Sequence, residues 1–210
     1  MTRDKLVTLL AWRLGNRKDM QERIISEMDM VQTITLEENA WLPWFLEKEL
    51  ADLQLLSGES STQLPADFLS EIEDSPFYVV DALGNKSSTK KGVYRELLEK
   101  YPGSGRPVAY SLGVSNIQFF PVAEQNYAVQ GRYYARDTLM SSANAQTLWL
   151  TYASDLVIAL LGQEISSKHL QNPAQAEVFA ADAKRAWTRL LYRHTAREEL
   201  NVSHSLGEKY

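Results

Sequence analysis

The residues able to do chemistry are few and scattered. Three histidines, His169, His194 and His204, show no His-x-x-x-His or comparable metal spacing. His194 falls near the inner stripe of an amphipathic segment, where a satisfied or surface histidine fits better than a ligand. Glu71, Glu73 and Asp74 cluster after the stretch Leu64-Pro65-Ala66-Asp67-Phe68. Paired carboxylates hydrolyse glycosides when they flank a sugar cleft and one has a raised pKa. An exposed acidic turn explains the same residues more simply. With no cysteine, disulfides, thiolate metal sites and cysteine nucleophiles are excluded. Gly103-Ser104-Gly105 lacks the Lys-Ser/Thr of a phosphate loop, and no Gly-x-Ser-x-Gly elbow occurs. Nothing in this set supports an enzyme, and no cofactor or metal is expected.

One pattern carries more weight. Arg185, Arg189, Arg193 and Arg197 recur every four residues. That spacing keeps them on one side of a helix, where like charges repel mildly. Two readings stand: a solvated outer face, aided near the C-terminus by the helix dipole, or a docking face for an acidic partner.

The elements that position these residues follow from periodicity. Thr2 can cap a helix running to Leu14, with Gly15 to stop it. Asp19 and Glu22 form a plausible capping box for a second helix with Ile24, Ile25, Met28 and Val31 inside. Trp41-Leu42-Pro43-Trp44-Phe45 reads as a core plug, or alternatively as an exposed contact patch. From Glu49 the period becomes two. A strand through Leu55, a turn at Ser57–Ser61 and a return strand from Gln63 predict a hairpin. Phe77–Val80 is a further strand, Leu83–Ser87 a turn, Val93–Tyr101 a short helix, and Val108–Leu112 with Ile117–Phe120 a second hairpin. Tyr127–Arg136 is the clearest strand, with Tyr127, Val129, Gly131, Tyr133 and Ala135 on one face. Leu148–Leu161 predicts one deeply buried helix. The last helix starts at Asn172-Pro173 and buries Val178, Phe179, Ala183, Ala186, Trp187, Leu190 and Leu191.

The expected fold class is α+β, mainly helical. Residues 1–48 supply the N-terminal helices of a bundle, 49–137 a β-rich region with one short helix, 138–200 the C-terminal helices, and 201–210 an extended polar tail. The 210 residues suffice for a sizeable core, and 44% hydrophobic with 23% charged residues is ordinary for a globular chain. The net charge of -5 does not indicate a general nucleic-acid binder. No apolar run approaches the roughly 20 residues of a membrane span, no signal peptide is visible, and a soluble protein is expected.

In order along the chain stand "LAWRLGNRKD", "LPADF", "RELLEKYPGSGRPVAYSL", "IQFFPVAEQNYAVQGRYYARDTLM", "LWLTYASDLVIALLG" and "NPAQAEVFAADAKRAWTRLL". This ordered set, covering Leu6 to Arg197, resembles the head-to-tail adaptor (connector or head-completion) proteins of tailed bacteriophages. The resemblance implies a structural virion protein of the neck, made in the host cytoplasm, that forms a homo-oligomeric ring, typically of twelve copies. Its partners would be the portal protein and a tail or nozzle protein, with packaged DNA passing through unbound and no membrane involved. It also implies that "LPADF" and the Tyr-Tyr-Ala-Arg strand belong to one β region, with Leu64 and Phe68 as anchors and Pro65 and Asp67 shaping the turn. By the same analogy the portal contacts are Arg185, Arg189, Arg193, Arg197, Lys209 and Tyr210. The competing readings are a tail-associated cell-wall glycosidase using Glu71 or Glu73, and a tail-side neck or completion protein.

Overall fold

In the computed structural model the chain forms two compact units. One comprises 1–46 and 137–210, the other 47–136. The structure describes all residues except 40, 74, 144–145 and 208–210; the side chains of 51–52 and 198–207 also lie outside the description.

The first unit is helical and draws on both ends of the chain. Helix α1 (Arg3–Arg13) buries Leu6, Val7, Leu10 and Ala11. It ends where Gly15 takes φ +88°, a region that only glycine enters freely. Helix α2 (Gln21–Met30) follows a single 3₁₀ turn (Lys18–Met20) and runs on into a π-helical stretch (Val31–Glu37). The expected capping box does not form, because the Asp19 carboxylate accepts from the Arg17 guanidinium at 2.7 Å instead. The predicted helix over Leu148–Leu161 is two helices, α4 (Leu148–Tyr152) and α5 (Ser154–Glu164). They are broken at Ala153, whose φ of -135° and ψ of 30° leave helical space. Leu156, Val157, Ile158, Ala159 and Leu161 of α5 are all buried, since α1, α2 and α6 surround it. Helix α6 (Pro173–Gly207) closes the unit. It continues helical through Gly207, so the extended tail expected from Asn201 onward is corrected over 201–207.

The second unit is a β structure of three sheets. Strand β11 (Tyr127–Ala135) is its centre. On one edge it pairs antiparallel with β1 (Glu47–Leu55), and on the other with β4 (Tyr78–Val80) and β3 (Phe68–Glu71); β5 (Lys86–Ser88) extends β4. A second sheet has the order β2 (Ser61–Gln63), β9 (Asn116–Phe120), β8 (Ala109–Leu112), β6 (Lys90–Lys91). A third pairs β7 (Ser104–Gly105) with β10 (Val122–Ala123). Helix α3 (Tyr94–Lys100) lies between β6 and β7 in the chain. The alternation predicted for β11 holds: Tyr127, Val129, Tyr133 and Ala135 are buried. They meet Phe77, Val79, Leu50 and Leu55 of their own sheet region and Tyr110, Ile117 and Phe119 of the second sheet in one core. Gly131 makes room for it, since a Cβ there would stand 2.5 Å from the Phe77 ring.

Two expectations fail here. The chain is not mainly helical: it is 46% helix and 23% strand, a mixed α+β fold with several sheets in its middle. The strands that raise the β content are two or three residues long, too short to show an apolar alternation, so pairing rather than local pattern creates them. The return strand β2 also does not pair back on β1; it joins β9, with Thr62 opposite Ile117.

Candidate interaction surface on the last helix

Helix α6 begins with a cap that its sequence dictates. The Asn172 side chain accepts the Gln175 N–H at 3.1 Å, and Pro173 takes the first turn, where its missing N–H costs nothing. Its buried stripe is Phe179, Ala183, Ala186, Leu190 and His194. Val178 and Leu191, expected inside, are exposed. The stripe packs closely on α5: a Cβ on Gly162 would stand 2.4 Å from the Phe179 ring. Arg13 clamps the other side, with its guanidinium 4.9 Å from the Phe179 ring centroid and 2.7 Å from the Asp182 carboxylate. That hydrogen bond, followed by the attraction of Arg13 and Arg185, holds the Asp182 carboxyl below its usual range.

The aromatic segment before the β region sits against this helix. Phe45 stacks on Tyr152 and meets Trp149 edge-on, while Trp41 meets Trp187 and His194 edge-on at 5.4 and 5.0 Å. The Trp44 N–H donates to His194 Nδ1 at 3.2 Å. His194 is therefore part of a packed aromatic cluster. Leu42, Phe45 and Leu46 are buried and Trp41 and Trp44 half-buried, which makes the segment core rather than a contact patch.

Arg185, Arg189, Arg193 and Arg197 all lie on the exposed face of α6. Each also has an internal partner. Arg185 binds Asp182 at 2.6 Å and Arg189 binds Asp155 at 3.0 Å. Arg193 donates to the Tyr152 carbonyl at the end of α4 at 3.2 Å. The Arg197 guanidinium stands 6.0 Å from the Trp44 ring centroid. Arg189 and Arg193 thus tie α6 to α5 and to the end of α4, while the outer side of the row faces solvent. Along it runs an open groove of about 700 Å³, lined by Tyr152, Asp155, Thr188, Arg189, Tyr192 and Arg193. Tyr192 is 75% exposed. A positive, aromatic-bearing face of this kind can hold carboxylates and stack planar groups. Lys209 and Tyr210 lie outside the described residues.

The start of α4 is built largely by residues that no motif marks. The Asp137 carboxylate accepts the N–H groups of Leu148 at 2.6 Å and Trp149 at 3.2 Å, and Thr147 caps α4 by accepting from Leu150. Burial raises the Asp137 carboxyl above its usual range and outweighs these backbone bonds. Gln32, fully buried, donates to Glu37 at 2.7 Å and accepts the Met140 N–H at 2.8 Å. A Thr ahead of an apolar run was a readable cap signal; Asp137 acts on Leu148 and Trp149, and Gln32 on Met140, all more than ten residues away.

The other chemistry-bearing residues are structural. The Asp67 carboxylate accepts from Tyr133 at 2.9 Å and from Lys48 at 2.6 Å, Phe68 stacks on the Tyr133 ring, and Ala135 pairs with Phe68 in register. "LPADF" and the Tyr-Tyr-Ala-Arg strand are hydrogen-bonded neighbours. Glu71 is bound by Lys91 and accepts from Tyr110 at 3.0 Å, while Glu73 is exposed. His169 bonds Glu27 at 3.0 Å, and the His204 side chain lies outside the described residues. Among the described residues no group of three or more His, Asp or Glu could hold a metal ion. Nor, among the described residues, is any helix long and apolar enough to cross a membrane.

A comparison with the curated proteins finds no match. The family model described as SU10 adaptor protein matches residues 1–205. The chain therefore belongs to the SU10 adaptor protein family, a phage structural adaptor as its resemblance to head-to-tail adaptors implied.

Proposed function

We propose that this protein assembles as a ring between the portal and the tail, extending the channel through which DNA passes without specific contact. The observation that carries the reading is family membership across nearly the whole chain. The proposed portal-facing element is α6, with Arg185, Arg189, Arg193 and Arg197 and the end of the chain including Lys209 and Tyr210. Its exposed arginines suit an acidic partner, and carboxylates arriving there would compete with Asp182 and Asp155. The net charge of -5 suits a channel wall that does not grip phosphates.

The test is to mix the purified protein with portal rings and weigh the complex, with and without residues after Asn201. Equal copy numbers of portal and adaptor, typically twelve each, are expected. Truncation, or Arg185→Glu with Arg189→Glu, should weaken the complex about tenfold or more, and raised salt should do the same. Failure of the unmodified protein to bind portal rings overturns the reading. A hexamer on tail tubes would replace it with a tail-side neck role.

A further inference from the structure

Helix α3 is anchored by one face only. Leu97 is buried against Ala109 and Phe120, and Tyr94 meets the Phe120 ring edge-on at 5.6 Å. The outer flank leaves Val93, Tyr94 and Leu98 61%, 48% and 53% exposed. Tyr94 and Leu98 are one turn apart, so this apolar surface is contiguous. Sheet register puts Lys90 beside Ala109, and Ala109 beside Phe120, so Lys90 borders the same patch. Arg95 and Lys100 are exposed on the helix, and none of the three enters an ion pair among the described residues.

The charge of this stretch opposes that of the chain. Residues 86–106 hold six lysines and arginines against two glutamates, a net +4. The whole chain is -5, so the remainder carries -9. At the patch itself Lys90, Arg95 and Lys100 stand with the exposed Glu96 and Glu99, so a charged rim, basic by one, borders the apolar centre; that is the anatomy of a protein contact, and a phosphate backbone gains nothing from exposed Val and Leu. The net -9 of the remaining residues supplies the opposite charge on another copy of this chain. Closed rings use two different faces of each subunit, which a basic patch against an acidic body satisfies.

We infer that the α3 patch is one half of a head-to-tail contact between copies, its other half being acidic surface outside residues 86–106. This rests on the ring reading above. The absence of cysteine allows a clean test: Leu98→Cys carries a short photo-crosslinker, and the protein is irradiated on portal rings. The expected product is an adduct of two copies whose second peptide maps outside 86–106. Its yield should fall about tenfold in Arg95→Glu with Lys100→Glu, because like charges would then face each other. Complete rings with no copy-to-copy adduct overturn this inference and leave the ring standing. So do adducts to portal or tail protein alone, or a nuclease-sensitive adduct to DNA. If the unmodified protein forms no ring, both readings fall.

Discussion

Single atoms decide several positions in this chain. A methyl group on Gly162 would fall 2.4 Å from the Phe179 ring, and ring and backbone cannot separate without opening the α5–α6 contact. Gly162→Ala should cost about 2 kcal/mol or more, seen as a lower denaturant midpoint at unchanged slope. Asp67 gives a pH signature. Burial alone would raise its carboxyl, but hydrogen bonds from Lys48 and Tyr133 outweigh this and hold it below the usual value of 3.8. Its contribution is thus complete above that value and lost as pH falls through the lower folded-state pKa. Asp67→Asn should flatten that part of the stability–pH curve and cost about 1 kcal/mol at neutral pH; an unchanged acid limb would refute the assignment.

Helix ends and ion pairs are the features to rank among the elements. Asp137 accepts two backbone N–H groups at the start of α4, while the Arg189–Asp155 pair joins α6 to α5 in the open, with both side chains about half exposed or more. Caps outrank solvated pairs. Asp137→Ala should therefore destabilise by about 1 to 2 kcal/mol, and Asp155→Ala by under about 0.5 kcal/mol, in parallel thermal melts. Asp155→Ala frees Arg189 for an incoming carboxylate, so under the proposed portal contact of α6 binding should strengthen rather than weaken. The four-residue arginine spacing was legible because helical geometry is local. Its partners Asp155 and the Tyr152 carbonyl were not, since they arrive through the break at Ala153.

The whole molecule divides where one strand enters and another leaves. Glu47 pairs with Tyr134, so the two ends of the 47–136 unit are neighbours in one sheet, and its core lies within those residues. That is the geometry of a unit able to fold alone. Residues 47–136, made as a separate chain, should give a β-type circular dichroism spectrum and one cooperative unfolding transition. A spectrum without β structure would show that the unit depends on the rest of the chain.

The sequence by itself determined what repeats over one or two turns: the buried face of β11, the Asn172-Pro173 start of α6 and most of its inner stripe, and the outward arginine row. Each follows from side-chain spacing along one element. Tertiary structure alone decided that β2 leaves β1 for β9, that strands of two or three residues complete the sheets, and that the 148–161 helix breaks at Ala153. It also decided that Asp19 serves Arg17 and not a helix end. Those outcomes depend on partners distant in the chain, or on one local bond displacing another, and short segments have too little periodicity to announce either.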